Sequence, residues 1–100
     1  MGTIPTSEIT KIAVSLGLSE SELFRQALLS FLREKKRQTL HLQLEMLARY
    51  GADSITDLES KITQGLVAEH PAWEDLITVE NLTTRLEELD AYLADLQVSG

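Results

Sequence analysis

One hundred residues with 43% apolar side chains and a net charge of −7 can build one small core, and are too apolar for a disordered chain. The absence of cysteine excludes a disulfide framework, a thiolate zinc site and a cysteine nucleophile. No apolar run approaches the roughly 20 residues that cross a bilayer, and no signal-peptide core follows the start, so the expectation is a cytoplasmic chain without a membrane partner.

Strong helix formers run almost throughout, and proline occurs only at positions 5 and 71. Thr6 or Ser7 is placed to cap a first short helix. Ile9, Ile12, Ala13 and Leu16 give it one apolar face, and Gly17 ends it. Ser19 opens a second helix, with Glu22 three residues on to complete a capping box. Leu23, Phe24, Ala27, Leu28, Phe31 and Leu32 form a wide stripe there, expected to be buried.

The next stretch, QTLHLQLEMLARYG at 38–51, carries two periods at once. Leu40, Leu42, Leu44 and Met46 alternate like a half-buried strand, while Leu40, Leu44 and Leu47 recur like one face of a helix. No second run of similar alternation exists to pair with such a strand, and a lone strand cannot satisfy its backbone. Helix is therefore expected, with only His41, Glu45 and Arg49 as its polar strip and Gly51 as its stop. Such wide apolar coverage implies burial on several sides. The stripes of 23–32 and 40–50 differ by about a third of a turn, so the helix either breaks near Gln38-Thr39 or offers successive faces to different neighbours.

Ser54-Ile55-Thr56-Asp57 starts a further helix with Ile55, Leu58 and Ile62 inward and Gly65 as its stop. Residues 66–71 form a connector in which His70, preceding Pro71, is extended. Pro71 then suits the first turn of a short helix carrying Trp73, Leu76 and Ile77. Val79, Leu82, Leu86, Leu89, Leu93 and Leu96 recur in steps of 3, 4, 3, 4 and 3, a heptad seam that fits an intramolecular bundle or a dimer equally.

Charge divides the chain in two. Residues 1–50 hold seven Lys and Arg against five acids, +2; residues 51–100 hold Lys61 and Arg85 against eleven acids, −9. An acidic half of this kind steers basic partners. The Arg33-Glu34-Lys35-Lys36-Arg37 run, with Arg33, Lys35, Lys36 and Arg37, could touch nucleic-acid phosphates or merely solvate a helix end.

Nothing in the sequence reads as catalytic. His41 and His70 are the only histidines, no glycine-rich loop follows a strand, and Glu69, His70, Glu74 and Asp75 are poorly spaced for a closed metal site. No cofactor is expected.

The stretch TSEITKIAVSLGLSESELFRQALLSFLREKKR, residues 6–37, resembles the two helices of ribbon-helix-helix antitoxins and repressors. Leu16-Gly17-Leu18-Ser19, Ser21-Glu22-Leu23, Arg25-Gln26-Ala27-Leu28 and Phe31-Leu32 carry the likeness. It covers about a third of the chain and implies an intertwined dimer through residues 7–32. The base-reading strand of that family has no counterpart in MGTIPT, so base recognition transfers to no residue here. HPAWEDLITVENL resembles the tails with which small prokaryotic antitoxins wrap a toxin.

The expectation is thus an all-α fold of four to five helices, an intertwined dimer with a C-terminal leucine-rich helix. Residues 1–51 would dimerise through Phe24, Leu28, Phe31, Leu32, Leu40, Leu44 and Leu47. Residues 52–100 would hold a small basic toxin through Trp73, Leu76, Ile77, Leu82, Leu86, Leu89 and Leu93. A DNA-binding regulator working through 33–37 and a purely self-associating scaffold are the alternatives.

Overall fold

The computed structural model describes residues 2–98. Four helices follow one another: α1 (Thr6–Leu16), α2 (Glu20–Ala48), α3 (Ile55–Thr63) and α4 (Glu69–Val98). No strand occurs among the described residues, and the doubly periodic stretch at 40–46 lies inside α2. That helix does not break at Gln38-Thr39 but continues for 29 residues.

Short-range chemistry sets the helix ends. The Glu22 amide donates to Ser19 Oγ at 3.0 Å, and the Asp57 amide to Ser54 Oγ at 3.0 Å. Only half of the expected capping box at Ser19 forms, because the Glu22 carboxylate accepts from Arg25 and Gln26 instead. The cap of α1 is Pro5, not Thr6 or Ser7. The Pro5 carbonyl takes the first helical bonds, from the Glu8 and Ile9 amides, which draws Thr6 and Ser7 into the helix. Gly17, Gly51 and Gly65 sit at φ of 73°, 61° and 74° and close α1, α2 and α3 with one device. At each, the glycine amide and the next amide donate back to the helix in a paired left-handed stop, as Gly17 does to Val14 and Leu18 to Ala13.

His70 is extended (φ −104°, ψ 129°), as its place before proline requires. Pro71 itself departs from helical angles, so regular α4 begins at Ala72, and the segment carrying Trp73, Leu76 and Ile77 is continuous with the leucine seam.

α2 and α4 lie antiparallel along each other. Lys36 Nζ stands 2.6 Å from Asp90 Oδ1, Gln43 Nε2 donates to Thr83 Oγ1 at 2.6 Å, and Arg25 Nε donates to the Leu96 carbonyl at 3.0 Å. The leucine seam is intramolecular: Val79, Leu89 and Leu93 are buried against α2, with Leu82, Leu86 and Leu96 half-buried. α3 folds over the end of this hairpin. Leu58 and Ile62 enclose a core there with Met46, Leu47, Ala72, Leu76 and Val79. The Tyr50 hydroxyl donates to the Asp75 carboxylate at its edge. α1 packs against α2, burying Ala13.

Two expectations about α2 fail within the single chain. The stripe at 23–32 is not its buried face: Leu29 is buried, whereas Phe24, Ala27, Leu28 and Phe31 are exposed. Nor is 39–50 buried on several sides, since Leu40, Leu42 and Leu44 are exposed and only Met46 and Leu47 enter the core. The physical reason is thickness. The molecule measures 60 × 31 × 16 Å, a slab little more than one helix deep, so along most of their length the two long helices pack mainly on each other and leave their outer faces open.

Candidate protein-interaction surface

A 29-residue amphipathic helix presents more than one row of side chains, and α2 has two. One row, with Leu29 and Leu47, meets α4 and the core. The other runs Phe24, Leu28, Phe31, Lys35, Gln38 and Leu42 in steps of 4, 3, 4, 3 and 4, the spacing of a helix-pairing seam. Its four apolar members stay open: Phe24 is 53% exposed, Leu28 49%, Phe31 60% and Leu42 42%. Lys35 Nζ lies 5.9 Å from the Phe31 ring centre, close enough for a cation–π contact.

Beside this row the two long helices leave a groove of about 630 Å³. Phe31, Leu32 and Lys35 form its α2 wall, and Asn81, Arg85 and Tyr92 its α4 wall. A smaller hollow of about 300 Å³, next to Arg25, Leu29, Arg33 and Gln97, opens between the same helices.

The remaining expected contact residues fall into three places. Leu40 and Leu44 are exposed, Leu32 is half-buried and Leu47 belongs to the chain's own core. On α4, Leu76, Leu89 and Leu93 are likewise buried, and Leu82 and Leu86 half-buried, so each is already packed within the chain. Trp73 and Ile77, one helical turn apart, remain exposed at 38% and 58%. Around them Glu69, Glu74 and Glu80 are exposed as well, which gives this end of α4 two apolar anchors in an acidic setting.

The basic run sits mid-helix, not at a helix end. Lys36 is paired with Asp90, and Arg37 binds Glu34 through Nε at 2.9 Å and through Nη2 at 2.6 Å. These bonds, with the Arg37 charge and a bond from Gln38, hold the Glu34 carboxyl down at about 2. Arg33 and Lys35 are exposed.

His41 Nε2 lies 3.3 Å from Glu45, one turn along α2, and His70 Nδ1 lies 2.8 Å from Glu74 across the start of α4. Among the described residues, no three His, Asp or Glu side chains converge to hold a metal. No helix among them is long and apolar enough to cross a membrane.

Leu42 and Tyr92 were not singled out from sequence. Leu42 hid in the ambiguous alternation of 40–46, and Tyr92 stands off the leucine seam. The 4-3 spacing from Phe24 to Leu42 was the signal that could have found the first; nothing local marked the second.

Residues 3–100 match the family model described as "Uncharacterized protein MJ0235 family". The chain belongs to the MJ0235 family. No curated protein and no solved structure matches it.

Proposed function

We propose that this MJ0235-family protein is a non-catalytic protein-binding module whose helical layer is completed by other polypeptides. One observation carries the reading: the surface is too large for the mass. A compact monomer of 11.2 kDa exposes roughly 5,700 Å². This chain exposes 7062 Å², and its radius of gyration is 19.6 Å where about 13 Å is typical of 100 residues. The surplus is rich in large apolar side chains, which in a soluble protein mark a binding surface.

The partner best matched to the α4 end is a small basic protein. Trp73 and Ile77 would anchor it, and the acidic residues of 51–100 would steer it on approach. This is the arrangement of an antitoxin-like chain, in which an acidic arm covers a basic toxin.

A tagged pull-down from the native host at low salt, read by mass spectrometry, tests the reading. A small basic protein in stoichiometric yield is expected, and Trp73→Ala should reduce its recovery tenfold or more. A preparation holding no other protein, at any salt concentration, would remove the basic partner.

A further inference from the structure

We infer that the open face of α2 is covered by a second copy of this chain, the two α2 helices running antiparallel about a two-fold axis near residue 33. This rests on reading the exposed apolar surface as a protein-binding one, and it names the occupant.

Area is the first argument. The surplus over a compact monomer is roughly 1,400 Å² per chain, and a standard interface needs about 800 Å² per partner. One isologous contact of that size along α2 removes more than half of the surplus. The thickness argues the same way: two slabs 16 Å deep, placed face to face, make the two layers that a stable domain requires.

The second argument is the symmetry of the seam. An antiparallel two-fold axis near residue 33 sets Phe24 opposite Leu42 of the copy, Leu28 opposite Gln38, and Phe31 opposite Lys35. Every member of the row is matched, and both ends are apolar. At the centre, the ammonium that already lies over Phe31 in one chain meets the Phe31 ring of the other. A parallel pairing of the same row fails on charge, because Lys35 would face Lys35 in the middle of the interface. Antiparallel helices also oppose their dipoles favourably. The groove between α2 and α4, with Tyr92 on its far wall, receives the side of the incoming helix. The result is a four-helix bundle of two hairpins.

The absence of cysteine makes the arrangement directly testable on the full chain. Light scattering on the purified protein at micromolar concentration should give twice 11.2 kDa. Phe31→Lys should raise the dissociation constant roughly a hundredfold or more by setting it against Lys35 of the copy, like charges facing at the centre of the interface. The side chain is exposed in the single chain, so far-ultraviolet circular dichroism should show the helices intact, and Leu28→Lys is the second variant if they are not.

Geometry is read from two single variants. Leu28→Cys mixed with Gln38→Cys should form the hetero-disulfide under mild oxidant. Gln38→Cys alone should not, because its own copy lies ten residues away along the seam, about 15 Å, beyond disulfide reach. A monomer at all attainable concentrations overturns the inference, as does a dimer that Phe31→Lys leaves intact. Ready self-linking of Gln38→Cys overturns the antiparallel geometry. None of these results touches the capture of a basic partner at Trp73, whose failure would be seen separately in the pull-down.

Discussion

Lys36 on α2 reaches Asp90 on α4 at 2.6 Å, and this pair anchors a basic run to the acidic half of its own chain. With Gln43–Thr83 and Arg25–Leu96 it sets the register of the hairpin, while the leucines between them supply most of the binding energy. Both side chains of the ion pair are about half exposed, so solvent screens it. A double-mutant cycle with Lys36→Gln and Asp90→Asn should give a coupling of about 0.5 kcal/mol. The coupling should shrink as salt is added. A coupling several times larger, or one indifferent to salt, would show that the charges and not the leucines hold the hairpin.

The core under α3 is where truncation should hurt. Leu58 is 0% exposed and touches the shared cluster of α2, α3 and α4. Leu58→Ala should lower the unfolding free energy by about 3 kcal/mol through lost burial and the cavity left behind. Leu16→Ala, at the exposed end of α1, should change it by less than about 0.5 kcal/mol. Urea titrations of the two variants against the parent decide the point; equal effects would mean that α3 does not seal the core described here.

Gly51 provides a sharper test of the backbone. Its φ of 61° lies where a Cβ is strained, although nothing within 4 Å would meet that atom. The cost of Gly51→Ala is therefore conformational alone, about 1 kcal/mol. Gly51→Asn, which tolerates the left-handed region better, should recover part of it. A neutral Gly51→Ala would contradict the left-handed stop of α2.

These local features are what the sequence made readable. Ser19, Ser54 and the three helix-ending glycines act within one turn of the chain, so their residue types suffice to place α2, α3 and their ends. Ile55, Leu58 and Ile62 were readable as an inward face because α3 has a single apolar stripe. The faces of α2 were not, since it carries two rows of nearly equal apolarity and spacing does not say which neighbour takes which. Leu29 is buried and Phe31 stays open at the groove, a choice made by the register with Val79, Leu89 and Leu93 some 50 to 64 residues on. The same non-local pairing turned Leu76, Leu89 and Leu93 inward, leaving Trp73 and Ile77 exposed near the start of α4.

The Tyr50 hydroxyl is pushed up to about 12, first by donating its proton to the Asp75 carboxylate, then by burial and by the Asp75 charge. A phenol whose folded value exceeds its unfolded value, near 10, favours folding while it is protonated. That contribution is complete below about pH 10 and is lost as pH rises through about 12. In Tyr92→Phe protein, Tyr50 is the only phenol, and its ultraviolet titration should have a midpoint near 12 while the helices persist. Adding Asp75→Asn removes the charged acceptor and should draw the midpoint back toward 10. Tyr50→Phe should lower stability near neutral pH by about 1 kcal/mol, and its stability should then decline less between pH 10 and 12 than that of the parent. A midpoint near 10 with Asp75 in place would mean that the hydrogen bond joining the end of α2 to α4 does not persist in solution.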